Sequence, residues 1–426
     1  MCDGTADQVE INNALNALPV GGGAVYLAEG TYAITASINL ASNVALVGQG
    51  AGTVLRVPND HDANLNMVSG NGIDHALVAN LKIDGNKANQ AAGNMDGIYF
   101  DTVTHSKVVD CWVDDMYAGI GIYLLDSSEY NTITGNTCQG NTRYGIELSS
   151  SNYNTVVGNT CQGNDEGISL SGSDYNTVTG NTCQGNAYGL DLGTSDYNTF
   201  VGNTTEGNDY MGIYVNTSSY NTITGNTVKG NGEHGIEMYN ANNHNTIEGN
   251  TIEGNSQDSD DTYDGIFVDA NSDYNNIQGN TVRQGVGANT QRYGIRINAA
   301  TCDGNFVANN DLHDAGTTNN FSDAGTGTIF DYSQNGTETN LVPIDSTGLK
   351  ENTITFPVSF HTAPRVIANL TNFDNDESIA YVVQIKTVTT NNFTIICNVV
   401  TASATAGHNA DIYWYATVAP QSGGRE

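Results

Sequence analysis

Carboxylates and aromatic rings recur along this chain at positions that could hold and process a sugar polymer. Short segments of the form Gly-Ile-x-Leu, with close variants, begin at Gly145, Gly167, Gly189, Gly212, Gly235, Gly265 and Gly294. Side chains alternate across a strand, so the two aliphatic residues point inward and the residue between them points outward. Reading the outward positions along the chain gives Asp96, Tyr99 and Asp101, then Tyr144 and Glu147, Glu166, Tyr188 and Asp191, Tyr214, His234 and Glu237, Asp264, Phe267 and Asp269, and Tyr293 with Arg296. Flat rings stack on pyranose faces, and carboxylates bond hydroxyls or catalyse. Tyr144, Glu166, Tyr188, Tyr214, His234, Glu237 and Arg296 are therefore candidate carbohydrate ligands. The plainer reading is a solvated face of an acidic protein; exposed aromatics in successive repeats weigh against it.

Glycoside hydrolysis needs two carboxyl groups, one an acid and the other a base or nucleophile. Glu147 with Asp191, or Asp191 with Glu237, lie two repeats apart. In a stack of strands that is about 9.6 Å, at the edge of the roughly 6.5–9.5 Å inverting range. Many pairs on a regular stack would meet this test. An earlier series, Asn94-Met95-Asp96, Asp114-Asp115 and Arg143-Tyr144-Gly145, resembles the Asn-x-Asp, Asp-Asp and Gly-His-Gly series of polygalacturonases. The resemblance implies catalytic roles for Asp96, Asp114 and Asp115. Tyr144 stands where that family has His, and Arg296-Ile297-Asn298 lacks the Lys of its Arg-x-Lys, which puts the chemistry in doubt.

One repeat is longer than the rest and carries Asp258, Asp260, Asp261 and Asp264. Four carboxylates so close offer the hard oxygen ligands that Ca²⁺ takes; a solvated acidic loop is the alternative. No cofactor is otherwise required. Cysteines 138, 161 and 183 occupy one position in three consecutive repeats, where other repeats place Thr205, Val228, Ile252 and Val282. That substitution pattern describes a buried ladder, not a disulfide framework or a zinc site.

The elements that position these residues follow from the repeat itself. The pattern Tyr130-Asn131-Thr132-Ile133-Thr134-Gly135-Asn136 begins again at Tyr153, Tyr175, Tyr197, Tyr220, His244 and Tyr274, at spacings of 23, 22, 22, 23, 24 and 30 residues. Apolar and polar residues alternate over three to five positions before Gly-Asn intervenes, which is the signature of short strands and turns. Units near 22 residues fit one coil of a parallel β-helix, each strand pairing with its equivalent about 4.8 Å away in the next coil. Ile133, Val156, Val178, Phe200, Ile223, Ile247 and Ile277 then form an interior ladder, and Asn136, Asn159, Asn181, Asn203, Asn226, Asn250 and Asn280 an amide ladder.

This pattern, with the start Cys2-Asp3-Gly4-Thr5-Ala6-Asp7, the Gly21-Gly22-Gly23-Ala24-Val25-Tyr26 run and Asn43-Val44-Ala45-Leu46-Val47-Gly48, resembles the right-handed parallel β-helix family of pectate lyases, phage tailspikes and NosD-type repeat proteins. The scaffold hosts lyases, hydrolases, epimerases and plain binders, so it implies fold more than activity. The composition changes from Thr353, where strands separated by turns suggest a small antiparallel β-sandwich. Phe360-His361-Thr362-Ala363-Pro364-Arg365-Val366, Val388 to Ile395 and Trp414-Tyr415-Ala416 resemble H-type lectins and the similar C-terminal domains of phage tail fibres. That resemblance implies a homotrimer.

The expected organisation is all-β: a capping segment over 1–22, a single-stranded parallel β-helix over 23–330, a linker over 331–350, the lectin-like sandwich over 351–419 and a tail over 420–426. Thirteen Lys and Arg against 46 Asp and Glu leave a formal charge of −33, which disfavours nucleic acid and anionic membrane surfaces as partners. No apolar run of about 18 residues predicts membrane insertion, and Met1-Cys2-Asp3-Gly4 does not read as a signal peptide. The leading expectation is an extracellular or virion-surface fibre that binds cell-surface polysaccharide. The alternatives are a polysaccharide hydrolase or lyase working in the β-helix groove, and a structural spacer or adhesin.

Overall fold

The computed structural model describes residues 2, 4–286, 288–331, 333–341, 349–355, 365–371, 381–389, 392–399 and 410–417. Residues 342–348 of the expected linker, Phe360 to Pro364 of the lectin-like motif and the tail lie outside them.

The chain divides into two units. The first opens with a helix, Gln8–Asn16, whose Ile11 and Leu15 are buried one turn apart. Asp7, just ahead of it, accepts hydrogen bonds from the amides of Gly4 and Ala33 at 2.9 and 2.8 Å, tying the helix to the first coil.

The rest of this unit is a parallel β-helix with three strands per coil. The first sheet starts at Gly23–Tyr26 and passes through Thr132–Thr134, Thr177–Thr179 and Thr246–Glu248. The second has 11 strands, from Gly30–Ala33 to Thr281–Arg283. The third has 12 strands, from Ile38–Asn39 to Asn319–Asp323, and carries the Gly-Ile-x-Leu segments. Every pairing within these sheets of the unit is parallel and in register, so like residues stack on like. Ile133, Val156, Val178, Phe200, Ile223 and Ile247 form a single fully buried ladder. Val113, Cys138, Cys161, Cys183, Thr205, Val228 and Ile252 form a second, so the cysteines are interior packing groups.

The corners explain the sequence between strands. Gly158 follows its strand at φ 65°, in the left-handed region that glycine adopts without strain. Gly167, second in its strand, is required for a different reason: a Cβ there would lie 2.5 Å from the Gly189 carbonyl oxygen and 2.8 Å from the Cys183 Cβ. The asparagines satisfy the backbone that turns expose. Asn136 donates from both its amide N and Nδ2 to Asn159 Oδ1 at 2.9 Å, and Asn159 donates in the same way to Asn181 Oδ1. The expected ladder exists, and two parallel ones accompany it, through Asn131, Asn154 and Asn176 and through Asn141, Asn164 and Asn186.

At another corner His75, His105, Tyr130, Tyr153, Tyr175, Tyr197, Tyr220, His244 and Tyr274 stack face to face, with ring centroids 4.9–5.3 Å apart. Each sits at a φ between 51° and 59°. The stacking contacts offset part of the cost of a left-handed backbone at non-glycine residues.

The second unit holds residues 277–279, 304–311 and the chain from Gly327 onward. Its described strands include a parallel pair, Phe306–Ala308 with Ile329–Asp331. Two three-stranded antiparallel sheets follow. In one, Ala410–Thr417 lies between Ser333–Leu341 and Arg365–Thr371; in the other, Asn392–Val399 lies between Leu349–Thr355 and Tyr381–Val388.

Candidate functional site

The outward face of the third sheet breaks the repetition. Its central column runs, in direct register, Tyr99, Tyr123, Glu147, Ser169, Asp191, Tyr214, Glu237, Phe267 and Arg296. A flanking column places Tyr144 beside Glu166 and Glu166 beside Tyr188. These side chains point away from the core, yet Glu147 is only 8% exposed and Glu237 only 6%. The rings of Tyr144, Tyr188 and Tyr214 lie close to these carboxyls, and the low exposure of the acids makes the row a recessed one.

Recession changes the acids. Burial pushes the Glu147 carboxyl up to about 7, with Glu166 and Asp96 adding to the rise and Arg143 opposing it. Burial likewise raises Glu237 to about 7, helped by Glu233, Asp269 and Asp264. Glu166 and Asp191 share a hydrogen bond between their carboxyls, and burial favours their protonated forms. One oxygen of each of Glu147 and Glu237 is buried and finds no hydrogen-bond partner among the described residues. A neutral carboxylic acid in a dry, ring-lined recess can donate a hydrogen bond to a sugar hydroxyl or a proton to a leaving oxygen.

The sequence-derived candidates distribute unevenly over this surface. Tyr144, Glu147, Glu166, Tyr188, Asp191, Tyr214, Glu237 and Arg296 all fall on the third sheet. His234 lies beside it but is turned to structural use. Its Nδ1 accepts the Asp264 amide at 2.9 Å, its ring stacks on Phe267 with centroids 4.3 Å apart, and Tyr263 meets it edge-on. Burial and the Arg292 charge hold it at about 3, so its 3.9 Å approach to the Asp264 carboxylate is not an ion pair.

Of the three aspartates in the polygalacturonase-like series, only Asp96 is on the third sheet. It is buried and accepts the Ile120 amide at 2.9 Å. Asp114 is on the second sheet, ion-paired to Lys82 at 2.9 Å, and Asp115 follows it at the turn. The structure does not bring the three together. The acidic insertion is also dispersed. Asp260 accepts hydrogen bonds from Thr290, Asp261 accepts one from the Thr318 hydroxyl, and Asp264 is fully buried against Arg292 and Arg296 at 3.2 and 3.9 Å. The one grouping of metal-type ligands among the described residues is elsewhere, at Cys2, Asp7 and Glu10. There both Asp7 oxygens already serve backbone amides.

Tyr123 and Arg143 adjoin the candidate row but are not among the sequence-derived candidates. Tyr123 follows Gly121-Ile122 one coil before the Tyr-Asn-Thr repeat begins, so only its Gly-Ile-x-Leu frame marks it. Its hydroxyl is pushed up to about 12 by burial and by Glu147. Arg143 carries its guanidinium 4.9 Å from the Tyr144 ring centroid.

Known proteins share this construction. Residues 2–191 match the family model "Rhamnogalacturonase A/epimerase, pectate lyase-like", residues 138–259 match "Periplasmic copper-binding protein (NosD)", and residues 351–417 match the H-type lectin domain. The fold is a parallel β-helix, and the chain matches pectate-lyase-like and NosD family models along it and an H-type lectin model near its C-terminal end. Among solved structures, the A-module of the Azotobacter vinelandii mannuronan C-5 epimerase AlgE4 is similar, at 21% identity and a TM-score of 0.67 over 77% of this chain and 95% of that one. The Dettilon tailspike protein gp208 is similar over 98% of this chain and 92% of its own, at 14% identity and a TM-score of 0.62. The periplasmic alginate epimerase AlgG covers 77% of this chain and 89% of its own, at 14% identity and a TM-score of 0.51. At these identities the likeness is one of fold. Comparison with curated proteins finds no match. Among the described residues, no helix is long and apolar enough to cross a membrane.

Proposed function

We propose that this chain is a surface fibre of the tailspike kind that binds cell-surface polysaccharide along the recessed row of the third sheet. The observation that carries this reading is the contrast in register. Coil after coil repeats its Asn and Tyr at the corners and its Thr at the strand starts, while the third sheet presents a different residue at each step from Tyr123 to Glu237. A spacer needs no such variety. Rings and unpartnered carboxyl groups in one recess are what a polyhydroxylated ligand requires. The similarity to a tailspike over nearly the whole chain and the H-type lectin match support the same reading. In it, the β-helix over 23–330 and the sandwich over 351–419 are separate domains of a homotrimer displayed outside the cell or on a virion. Binding to a panel of surface polysaccharides, measured for the full chain and for Tyr188→Ala with Tyr214→Ala, tests it. Binding that survives the double substitution undiminished would refute the row as the site.

A second reading, cleavage of the bound polymer, is favoured by one further observation. Glu147, near 7, and the proton-sharing Glu166–Asp191 pair supply an acid and a partner carboxyl on adjacent coils. Hydrolysis would release new reducing ends, and elimination would release unsaturated products that absorb in the ultraviolet. Retained binding with neither product from any polymer bound would remove the enzymatic reading.

A further inference from the structure

The corner stack carries chemistry that its packing role does not use. Tyr130, Tyr153, Tyr175, Tyr197 and Tyr220 are five phenols in unbroken succession, with His105 at one end of the run and His244 at the other. Consecutive rings of this run lie 4.9–5.2 Å apart and within 7° of parallel. The backbone pins each rung. The amides of Tyr153, Tyr175 and Tyr197 donate at 3.1–3.2 Å to the carbonyls of Asp174, Asp196 and Ser219, the residues just ahead of the next ring. The five side chains are still open to solvent, at 44–50% exposure. Other tyrosine contacts differ in geometry: Tyr99 meets Tyr123 at 77°, and Tyr188 meets Tyr210 and Tyr214 at 45° and 38°. The thiols of the interior ladder, Cys138, Cys161 and Cys183, are fully buried. A one-electron oxidant in solvent therefore meets a column of aligned phenols before it meets those thiols.

We propose that this run is a site of oxidative cross-linking, at which a one-electron oxidant, such as the oxidised haem of a peroxidase, joins tyrosines of successive coils as dityrosine. Each of two neighbouring phenols gives one electron to the oxidant and its hydroxyl proton to water. The two radicals pair through ring carbons next to the hydroxyl-bearing carbon, forming one carbon–carbon bond. The hydrogen on each joined carbon leaves as a proton and the phenol oxygen takes one up, which restores both rings. The net loss is two electrons and two protons per bond, with both electrons passing to the oxidant. Parallel rings one coil apart set like carbons about one ring spacing from each other, and half-exposed rings have room to tilt together. Each phenol therefore holds its partner at high effective concentration. The net charge of −33 keeps separate chains apart, so coupling between molecules is slow by comparison. The bond ties residues 22 or 23 positions apart, closing one coil into a loop and removing freedom from the unfolded chain. The stack that repeats to build the β-helix thus becomes a covalent staple along it.

Brief illumination of the full chain with tris(bipyridine)ruthenium and persulfate is the test, read by dityrosine fluorescence, denaturing gel and sequencing of the cross-linked peptides. Dityrosine should form within single chains and should join neighbours of the run from Tyr130 to Tyr220. Tyr153→Phe with Tyr197→Phe keeps every ring but leaves no two phenols adjacent in the run, and should lower the yield about fivefold or more. Tyr26→Phe with Tyr239→Phe removes two exposed phenols outside the column and should leave the yield unchanged. An unchanged melting temperature before illumination checks that each variant is folded. No dityrosine, equal losses in the two double variants, or bonds mapping chiefly to other tyrosines or between chains would overturn the inference.

Discussion

Two ladders climb the same β-helix and teach different things. At the corner, His75 to Tyr274 stack ring on ring, half exposed and repeated coil after coil, above asparagines that hand hydrogen bonds from one coil to the next. On the third sheet, the column from Tyr99 to Arg296 changes residue at almost every step and is more deeply recessed. The first ladder is what a stack needs in order to exist: rung after rung passes a ring contact or a hydrogen bond to the next coil. The second holds two recessed acids, Glu147 and Glu237, each with a buried oxygen that has no hydrogen-bond partner among the described residues. Repetition therefore marks structure here, and departure from repetition marks the candidate site.

Substitutions can break that comparison. The largest effect is expected at the asparagines. Asn181→Ala orphans the Asn159 amide and removes the bond to the Val156 carbonyl, both in a dry interior. Denaturant unfolding should show a loss of about 3 kcal/mol, since each buried group left unpaired costs about 1–3 kcal/mol. Ser169→Ala, in the changing column, should cost far less. Next comes the site. Tyr188→Ala with Tyr214→Ala should weaken polysaccharide binding by about tenfold or more while moving the unfolding midpoint little, because both rings are only half buried.

The acids come third, with a definite sign. The folded Glu147 and Glu237 carboxyls titrate near 7, against 4.5 for the free group, so the native state binds the proton more tightly. Their contribution is full below pH 4.5 and declines as pH rises toward 7. Glu147→Gln mimics the protonated form. It should leave stability unchanged at low pH and raise it by about 1–2 kcal/mol at pH 8, after allowance for solvent screening. Thermal melts across that range decide it; a variant less stable than the parent at high pH would contradict the recessed, unpaired acid.

The smallest effect is at the corner stack. Tyr175→Ala loses two ring contacts and keeps the left-handed backbone, and should cost about 1–2 kcal/mol. Tyr175→Gly loses the same contacts but relieves the backbone, and should be the milder of the two.

How much of this the sequence discloses follows the same division. The β-helix, its interior ladders and the Asn136 column are legible because register repeats them, and a repeat of about 22 residues admits few other folds. The strands after Thr353 are legible from composition and turns. The site is legible only as a face. Which acids are recessed depends on the height of neighbouring rings, which alternation alone does not encode. His234 reads as a ligand because the sequence does not show the long insertion folding back, where Tyr263 and the Asp264 amide close over the imidazole. Asp114 and Asp115 read as partners of Asp96 because order along the chain does not say which sheet a residue occupies.

The most direct test of the central claim is the affinity of the full chain for surface polysaccharides, measured beside Tyr188→Ala with Tyr214→Ala and beside Tyr153→Ala with Tyr175→Ala. The account predicts that binding falls about tenfold or more in the third-sheet pair and is unchanged in the corner pair. Equal loss in both, or loss only in the corner pair, would contradict it.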